Sequence, residues 1–149
     1  MYVRQMLVSD IDRVYSIACM SLDELYVREV FFFFMKGWPA GQLVAVSDIG
    51  EVIGFLSGAR LTSDKVTIPL FAVAPGYRRT GAGSRLMEGF RACVMMDGKH
   101  YIQLEVRESN KNAISFYEKM GFTVIEFLDG FYNDSGSAVR MMCGVYKNA

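Results

Sequence analysis

Residues 70–83, LFAVAPGYRRTGAG, join an apolar run to a short loop with two arginines and glycines at 81 and 83. The loop leads into a stretch with Leu86, Met87, Phe90, Cys93 and Val94 at helical spacing. Such a junction is a place to hold a phosphate. The first N–H groups of a helix have no partner within it, and the helix dipole favours negative charge there. Gly81 and Gly83 lack a Cβ, so a ligand can approach the main chain closely. Two familiar phosphate loops are excluded by residue. Gly76 and Gly81 have the glycine spacing of a nucleoside-triphosphate loop, but Ala82 and Gly83 stand where Lys and Ser/Thr are required. The dinucleotide pattern fails too, with Leu86 at its third glycine position and no early strand–turn–helix to carry it.

Other residues have plain readings when taken one at a time. In YIQLEVR, residues 101–107, alternation puts Gln103, Glu105 and Arg107 on one face of a strand and Leu104 and Val106 on the other. Glu105 is then either a functional carboxylate or an exposed strand glutamate paired with Arg107. Phe71-Ala72-Val73 has the composition of a buried strand, and Tyr117, beside Phe116, that of a core aromatic. Asn110 is placed to cap a helix. His100, the only histidine, sits in a polar turn and reads as a solvated loop residue, despite the suitability of imidazole as a base.

Together, two segments resemble a known family. Arg78-Arg79-Thr80-Gly81-Ala82-Gly83 resembles the R/Q-x-x-G-x-G/A loop with which GNAT N-acetyltransferases hold the pyrophosphate of acetyl-coenzyme A (acetyl-CoA). Asn110-x-x-Ala113-x-x-x-Tyr117-x-x-x-Gly121-Phe122 follows in the family's order and at a distance that fits one domain. The resemblance implies acetyl-CoA as cofactor, bound by Phe71, Ala72, Val73, Arg78, Arg79, Thr80, Gly81, Ala82, Gly83, Ser84, Asn110 and Tyr117. Acetyl transfer from a thioester to an amine also needs an oxyanion donor, a route for the amine proton and an acid for the departing thiolate. The resemblance assigns the first to backbone N–H groups at the end of strand 70–73 and the last to Tyr117. Glu105 is the candidate base, acting through water. Pro75 cannot donate a hydrogen bond and is expected to mark where strand pairing stops.

The N-terminal half narrows the resemblance. Ser21-Leu22-Asp23-Glu24-Leu25-Tyr26 and Gly37-Trp38-Pro39 are similar to segments of the "arrest-defective" catalytic subunits of N-terminal acetyltransferases. Leu104-Glu105-Val106-Arg107-x-Ser109-Asn110 resembles the RimI enzymes, which acetylate ribosomal protein N-termini. Phe131-Tyr132-Asn133-Asp134-x-Gly136 resembles the hairpin that closes over the substrate peptide in both groups. The resemblance implies that Glu24, Tyr26 and Tyr132 line the peptide entrance, with Glu24 a second candidate base. Asp23, Leu25, Phe131 and Ser137-Ala138 depart from the family pattern, all on the substrate side. The implied reaction is acetylation of the N-terminal α-amine of proteins or peptides, ribosomal proteins among them, by direct attack of the amine. A lysine or small-amine acetyltransferase is the alternative within the class. A non-catalytic coenzyme-A-binding subunit is the alternative outside it. The resemblance also leaves room for an auxiliary subunit or ribosome association.

Composition sets the outer bounds. A chain of 149 residues suits one domain, here 1–149, with a core of its own. Zero formal net charge gives no footprint for nucleic acid and no polybasic membrane signal. Cys19, Cys93 and Cys143 are odd in number and far apart, so they read as reduced core residues with neither disulfide nor metal site. The alternating N-terminus does not resemble a signal peptide, and the longest apolar run, 30–35, is far short of a membrane span. A soluble, cytoplasmic domain is expected.

The elements expected around these residues alternate along the chain. Strands are expected at 2–6, 43–47, 52–60, 65–73, 101–106, 123–128 and 138–145, and helices after a Ser9 cap, at 26–36, at 79–97 and after Asn110. The Phe31–Phe34 run is expected to form a helix buried on nearly all sides. The order gives an α/β domain with a mixed sheet. The GNAT resemblance implies about seven strands, four flanking helices and a splay between the fourth and fifth strands.

Overall fold

The computed structural model describes residues 1–22 and 26–146. Seven strands form one sheet: β1 (Tyr2–Gln5), β2 (Gln42–Val46), β3 (Val52–Arg60), β4 (Lys65–Val73), β5 (Tyr101–Arg107), β6 (Thr123–Leu128) and β7 (Ala138–Gly144). Their order across the sheet is β1-β2-β3-β4-β5-β7-β6. Pairing is antiparallel except between β4 and β5. Helices α1 (Ile11–Ser21) and α2 (Glu29–Gly37) cover one face, and α3 (Ala82–Met96) and α4 (Lys111–Lys119) the other.

Alternation along the strands explains the two layers. On β5, Ile102, Leu104 and Val106 join the core built around Leu86, Met87, Phe90 and Val94 of α3. On β2 and β3, Val44, Val46 and Phe55 pack against Ile11, Val14, Ile17 and Ala18 of α1 and Phe31 of α2. A fully buried Phe31 or Phe90 is worth about 1.5–3 kcal/mol each, so both helices are held mainly by tertiary packing.

The α2 helix is the clearest departure from expectation. It starts at Glu29, and its aromatic run is not buried on nearly all sides. Phe31 is fully buried, whereas Phe32 and Phe33 are 41% and 71% exposed. A nine-residue helix lying on a sheet contacts it along one stripe, and residues 100° and 200° away on the helix wheel face outward. The Ser9 cap is also absent. Residues Val8–Asp10 form a single 3₁₀ turn, and the Asp10 carboxylate takes that place, accepting from the Leu7 N–H at 2.7 Å while paired with Arg4. Cys143 is buried and Cys93 partly so, as expected of core thiols, but Cys19 is exposed. Among the described residues no helix is long and apolar enough to cross a membrane.

The feature that creates a site is the parting of β4 from β5. Their parallel pairing covers Lys65–Thr67 against Tyr101–Gln103 and then stops, while β4 stays on β3 up to Val73. The register with β3 runs from Ala59↔Thr67 to Ser57↔Leu70, so two steps on β3 span three on β4. The extra residue is a bulge at Ile68–Pro69, which bends the strand, and a proline is tolerated there because a bulge needs no ladder N–H. Pairing with β3 reaches Ala74 and stops at Pro75, as expected, but pairing with β5 stops well before it, and the proline at that break is Pro69.

Candidate functional site

One wall of the parting is the main chain of β4 and the loop that follows. Ala74 donates its N–H to Ile53 O at 2.8 Å, so strand alternation points the Ala72 N–H toward β3 as well. Ala72 is thus committed to the sheet. The N–H groups of Phe71 and Val73 face the side that β5 has left. The Val73 carbonyl there accepts a hydrogen bond from Ser21 Oγ at 3.4 Å.

The loop then makes a 3₁₀ turn at Pro75–Tyr77 and enters α3 at Ala82 rather than at Arg79. The reason is backbone conformation. Arg79 (φ 63°) and Gly81 (φ 89°) are both left-handed and cannot belong to an α-helix. Only at Gly81 does the residue type relieve this, and a Cβ there would meet no protein atom within 4 Å, only open space. The Arg85 N–H to Gly81 O bond, 3.0 Å, is the first of the helix, which leaves the N–H groups of Ala82, Gly83 and Ser84 without intrahelical acceptors. Gly81 supplies no side-chain cap, and the first turn carries no acid. Arg78 and Arg79 are exposed, with no carboxylate partner among the described residues. Free main-chain donors and two exposed arginines thus lie within one short loop.

Two residues that the sequence did not single out brace this loop. The Tyr77 hydroxyl donates to Glu51 Oε2 at 2.9 Å, and Glu51 pairs in turn with Arg13 at 3.0 Å. Thr80, expected to face a ligand, donates its hydroxyl to Tyr77 O at 2.6 Å and closes the turn from within.

The opposite wall comes from α4. Asn110 Oδ1 accepts from the Ala113 N–H at 3.1 Å and caps the helix as expected. This orientation brings Tyr117 over the parting, with its ring 6.3 Å from Phe71 and 5.6 Å from Phe122. Its hydroxyl has no hydrogen-bond partner among the described residues. Burial pushes the Tyr117 pKa up from its ordinary value, and the nearby Tyr132 pushes it further. The phenol therefore stays protonated, with its O–H free to donate.

The other face of the sheet carries the polar residues of β5. Gln103, Glu105 and Arg107 share it, as alternation requires, but Glu105 does not pair with Arg107. Its partner is Arg140, directly opposite on β7, at 3.1 Å, with Gln103 Nε2 at 3.4 Å. Arg140 also holds Glu126 of β6 at 2.5 Å. Arg107 instead reaches Asp134 in the hairpin between β6 and β7, its guanidinium 4.1 Å from the centre of the Tyr132 ring. Tyr26 is half-buried against the α1/α2 core on this same face. Glu24 lies outside the described residues. The parting is thus a passage through the sheet, with Tyr117 on the α3/α4 face and Glu105 on the α1/α2 face.

His100 is exposed at the far end of β5 and bonded to Asp64 at 2.5 Å, remote from Glu105 along the strand. A cavity of about 750 Å³ opens at that end between α3, α4 and β7, and none of the site residues lines it. Among the described residues no cluster of His, Cys, Asp and Glu could hold a metal ion.

Comparison with known proteins decides the family. Residues 10–122 match the Acetyltransferase (GNAT) family. The chain belongs to it. It is 30% identical over 151 aligned positions to a protein of Sulfurisphaera tokodaii named N-alpha-acetyltransferase, covering 93% of this chain and 90% of that one. It is 28% identical to a Bacillus subtilis protein named putative [ribosomal protein bS18]-alanine N-acetyltransferase, covering 94% and 92%. Among solved structures, Ard1 from Thermoplasma volcanium superposes with a TM-score of 0.93 at 35% identity, covering 97% of both chains. The matches to the GNAT proteins span both walls of the passage.

As a GNAT enzyme the chain is an N-acetyltransferase with acetyl-CoA as cofactor. The loop fits that molecule. The unmet N–H groups at the start of α3, the open space beside Gly81 and the unpaired Arg78 and Arg79 suit a pyrophosphate.

Proposed function

We propose that this protein is a single-domain, cytoplasmic N-α-acetyltransferase that acetylates the N-terminal amine of proteins, with ribosomal proteins in its substrate class. What supports the reading is the parting of β4 from β5, flanked by the uncapped start of α3 and by the polar face of β5, in a chain alike over nearly its whole length to proteins named for this activity.

Bound acetyl-CoA supplies an acetyl group activated as a thioester. The N–H groups of Ala82, Gly83 and Ser84, with Arg78 and Arg79, hold its pyrophosphate. Phe71 and Val73 offer main-chain N–H groups to the carbonyl oxygen, where negative charge develops during attack. Glu105, with Glu24, accepts one proton of the incoming ammonium through water, leaving a neutral amine to attack the carbonyl carbon. The nitrogen gives up its second proton as the amide forms, which replaces the one that Tyr117 gives to the sulfur. Tyr117, kept neutral by burial, donates its O–H to the departing sulfur. Tyr26 and Tyr132 line the amine's approach.

The α-amine is the favoured acceptor on energetic grounds. It titrates near ~8 and a lysine near ~10.4. At pH 7 deprotonation costs about 1.4 kcal/mol for the first and about 4.6 kcal/mol for the second. A site with carboxylate bases and no imidazole meets the smaller cost more readily. The test is a panel of peptides varied at their first two residues, each with a free or a blocked N-terminus and an internal lysine. Mass spectrometry is expected to place the acetyl group on the free N-terminus. Equal or faster reaction of the blocked lysine peptides would overturn the reading in favour of a side-chain acetyltransferase.

A further inference from the structure

The hairpin between β6 and β7 is held from below by Arg107, at the end of the β5 segment that resembles the RimI enzymes. Arg107 ends β5 opposite Ala138, the first residue of β7, and is mostly buried. Its Nη1 lies 3.2 Å from Asp134 Oδ1, and its guanidinium lies over the Tyr132 ring at 4.1 Å. The same Asp134 oxygen accepts the Gly136 N–H at 2.9 Å. The turn is closed by Tyr132 N–H to Gly136 O at 3.0 Å and Ser135 N–H to Tyr132 O at 2.9 Å, and its base is tied to β5 by Glu108 N–H to Ser137 O at 3.0 Å.

Gly136 shows how tightly the guanidinium is enclosed. A Cβ there would lie 2.4 Å from Arg107 Nη1 and 2.9 Å from Asp134 Oδ1. Its φ is not left-handed, so backbone conformation does not demand glycine. Space for the arginine does.

We propose that Arg107 is a positioning residue for the amine-side wall, fixing Tyr132 beside the passage through its stack on the ring and its bond to Asp134. This rests on the reading of Tyr132 as a substrate-side residue. Arginine suits the task, because a planar guanidinium covers an aromatic face and presents a donor to a carboxylate at its edge at the same time. Two consequences separate positioning from simple stability. The Asp134 and Tyr132 contacts of Arg107 lie in the hairpin, on the face of the sheet opposite α3, so acetyl-CoA affinity is expected to be independent of them. The hairpin carries Tyr132, so loosening it disturbs the amine-side wall while the β4 main chain and the start of α3 stay in place.

The test uses Arg107→Met, which keeps much of the side chain's length, and Gly136→Ala, which displaces the guanidinium without removing it. If Arg107→Met does not fold, Gly136→Ala carries the test. In each variant KM for the amine substrate should rise about tenfold, with kcat changed less than about threefold and acetyl-CoA affinity unchanged. Amide hydrogen exchange at Ser135 and Gly136 should accelerate in the free protein. Kinetics are run with whichever amine the wild-type protein acetylates, so acetylation of lysine instead of α-amines would overturn the proposed substrate and still judge Arg107. Unchanged exchange would overturn the clamp itself. Faster exchange with an unchanged amine KM, or a parallel loss of acetyl-CoA affinity, would overturn its role in positioning the amine side.

Discussion

The two ends of the passage between β4 and β5 are built by different means. On the proposed cofactor side most donors belong to the main chain, at Phe71, Val73 and the first turn of α3, joined by the exposed Arg78 and Arg79, while Tyr77 and Thr80 brace the loop. On the amine side the main chain is consumed by β5–β7 and β6–β7 pairing, and the surface is set by linked side chains: Glu105 with Arg140 and Glu126, and Arg107 with Tyr132 and Asp134. A main-chain site needs few particular residues, mostly glycines where the backbone must turn left-handed or stay uncovered. A side-chain site needs several residues correct at once, each brought in by a different strand. The first kind tolerates drift around it, and the second can be retuned for a different substrate.

The largest expected effect breaks the main-chain side. Gly81→Val puts a branched side chain at φ 89°, in the open space where the pyrophosphate belongs. Left-handed strain costs about 1–3 kcal/mol for such a residue, and each charge-assisted hydrogen bond lost costs about 1.5–3 kcal/mol. Acetyl-CoA affinity measured by calorimetry should fall a hundredfold or more by this order-of-magnitude reckoning. Near-native affinity in a folded variant would mean that the loop is not the cofactor site.

Tyr117 packs its ring against Phe71 at the parting, and its removal is the next largest effect. Tyr117→Phe keeps the packing and deletes the donor, so kcat should fall by roughly 10²-fold with acetyl-CoA affinity little changed. Because the folded-state pKa is raised, this phenol stays protonated below its ordinary value near ~10, and no alkaline decline in kcat from it is expected there. The sign for stability is the same. The group's contribution is fully present below ~pH 10 and is lost as pH rises toward and through the folded value. The stability difference between wild type and Tyr117→Phe should therefore change only in strong alkali, as unfolding curves across that range would report.

The smallest effect probes the side-chain end. Glu105→Gln should lower kcat/KM by about tenfold, and adding Glu24→Gln should lower it further. The defect should be greatest at low pH, where fewer substrate amines are already neutral. An unchanged rate in the single and double variants would show that the amine arrives deprotonated from solvent and that the ion pair with Arg140 only sets the shape of the amine side.

The sequence by itself placed the strand, loop and helix of the proposed cofactor side in order, though the helix starts at Ala82 rather than at Arg79. Strand, arginine-bearing loop, glycines and helix are consecutive, so residues 70–83 carried both the phosphate chemistry and the geometry that exposes it. The Asn110–Phe122 segment, also local, fixed the helix that presents Tyr117. Expectations failed where a distant partner decides. Arg107 and Glu105 alternate on one strand in either reading, but only the β5–β7 register gives Arg140 to Glu105, and only the folded hairpin gives Asp134 and Tyr132 to Arg107. Four consecutive phenylalanines read as a helix buried on nearly all sides until the sheet showed how narrow a stripe it offers α2. Pro75 marks the end of pairing with β3, but the earlier parting from β5, at the extra residue of Ile68–Pro69, becomes visible only when β4 is laid against its neighbours. Chain-local order decides where a helix begins and which N–H groups it leaves free. Register and bulges decide which side chains meet across strands, and they are properties of the assembled sheet.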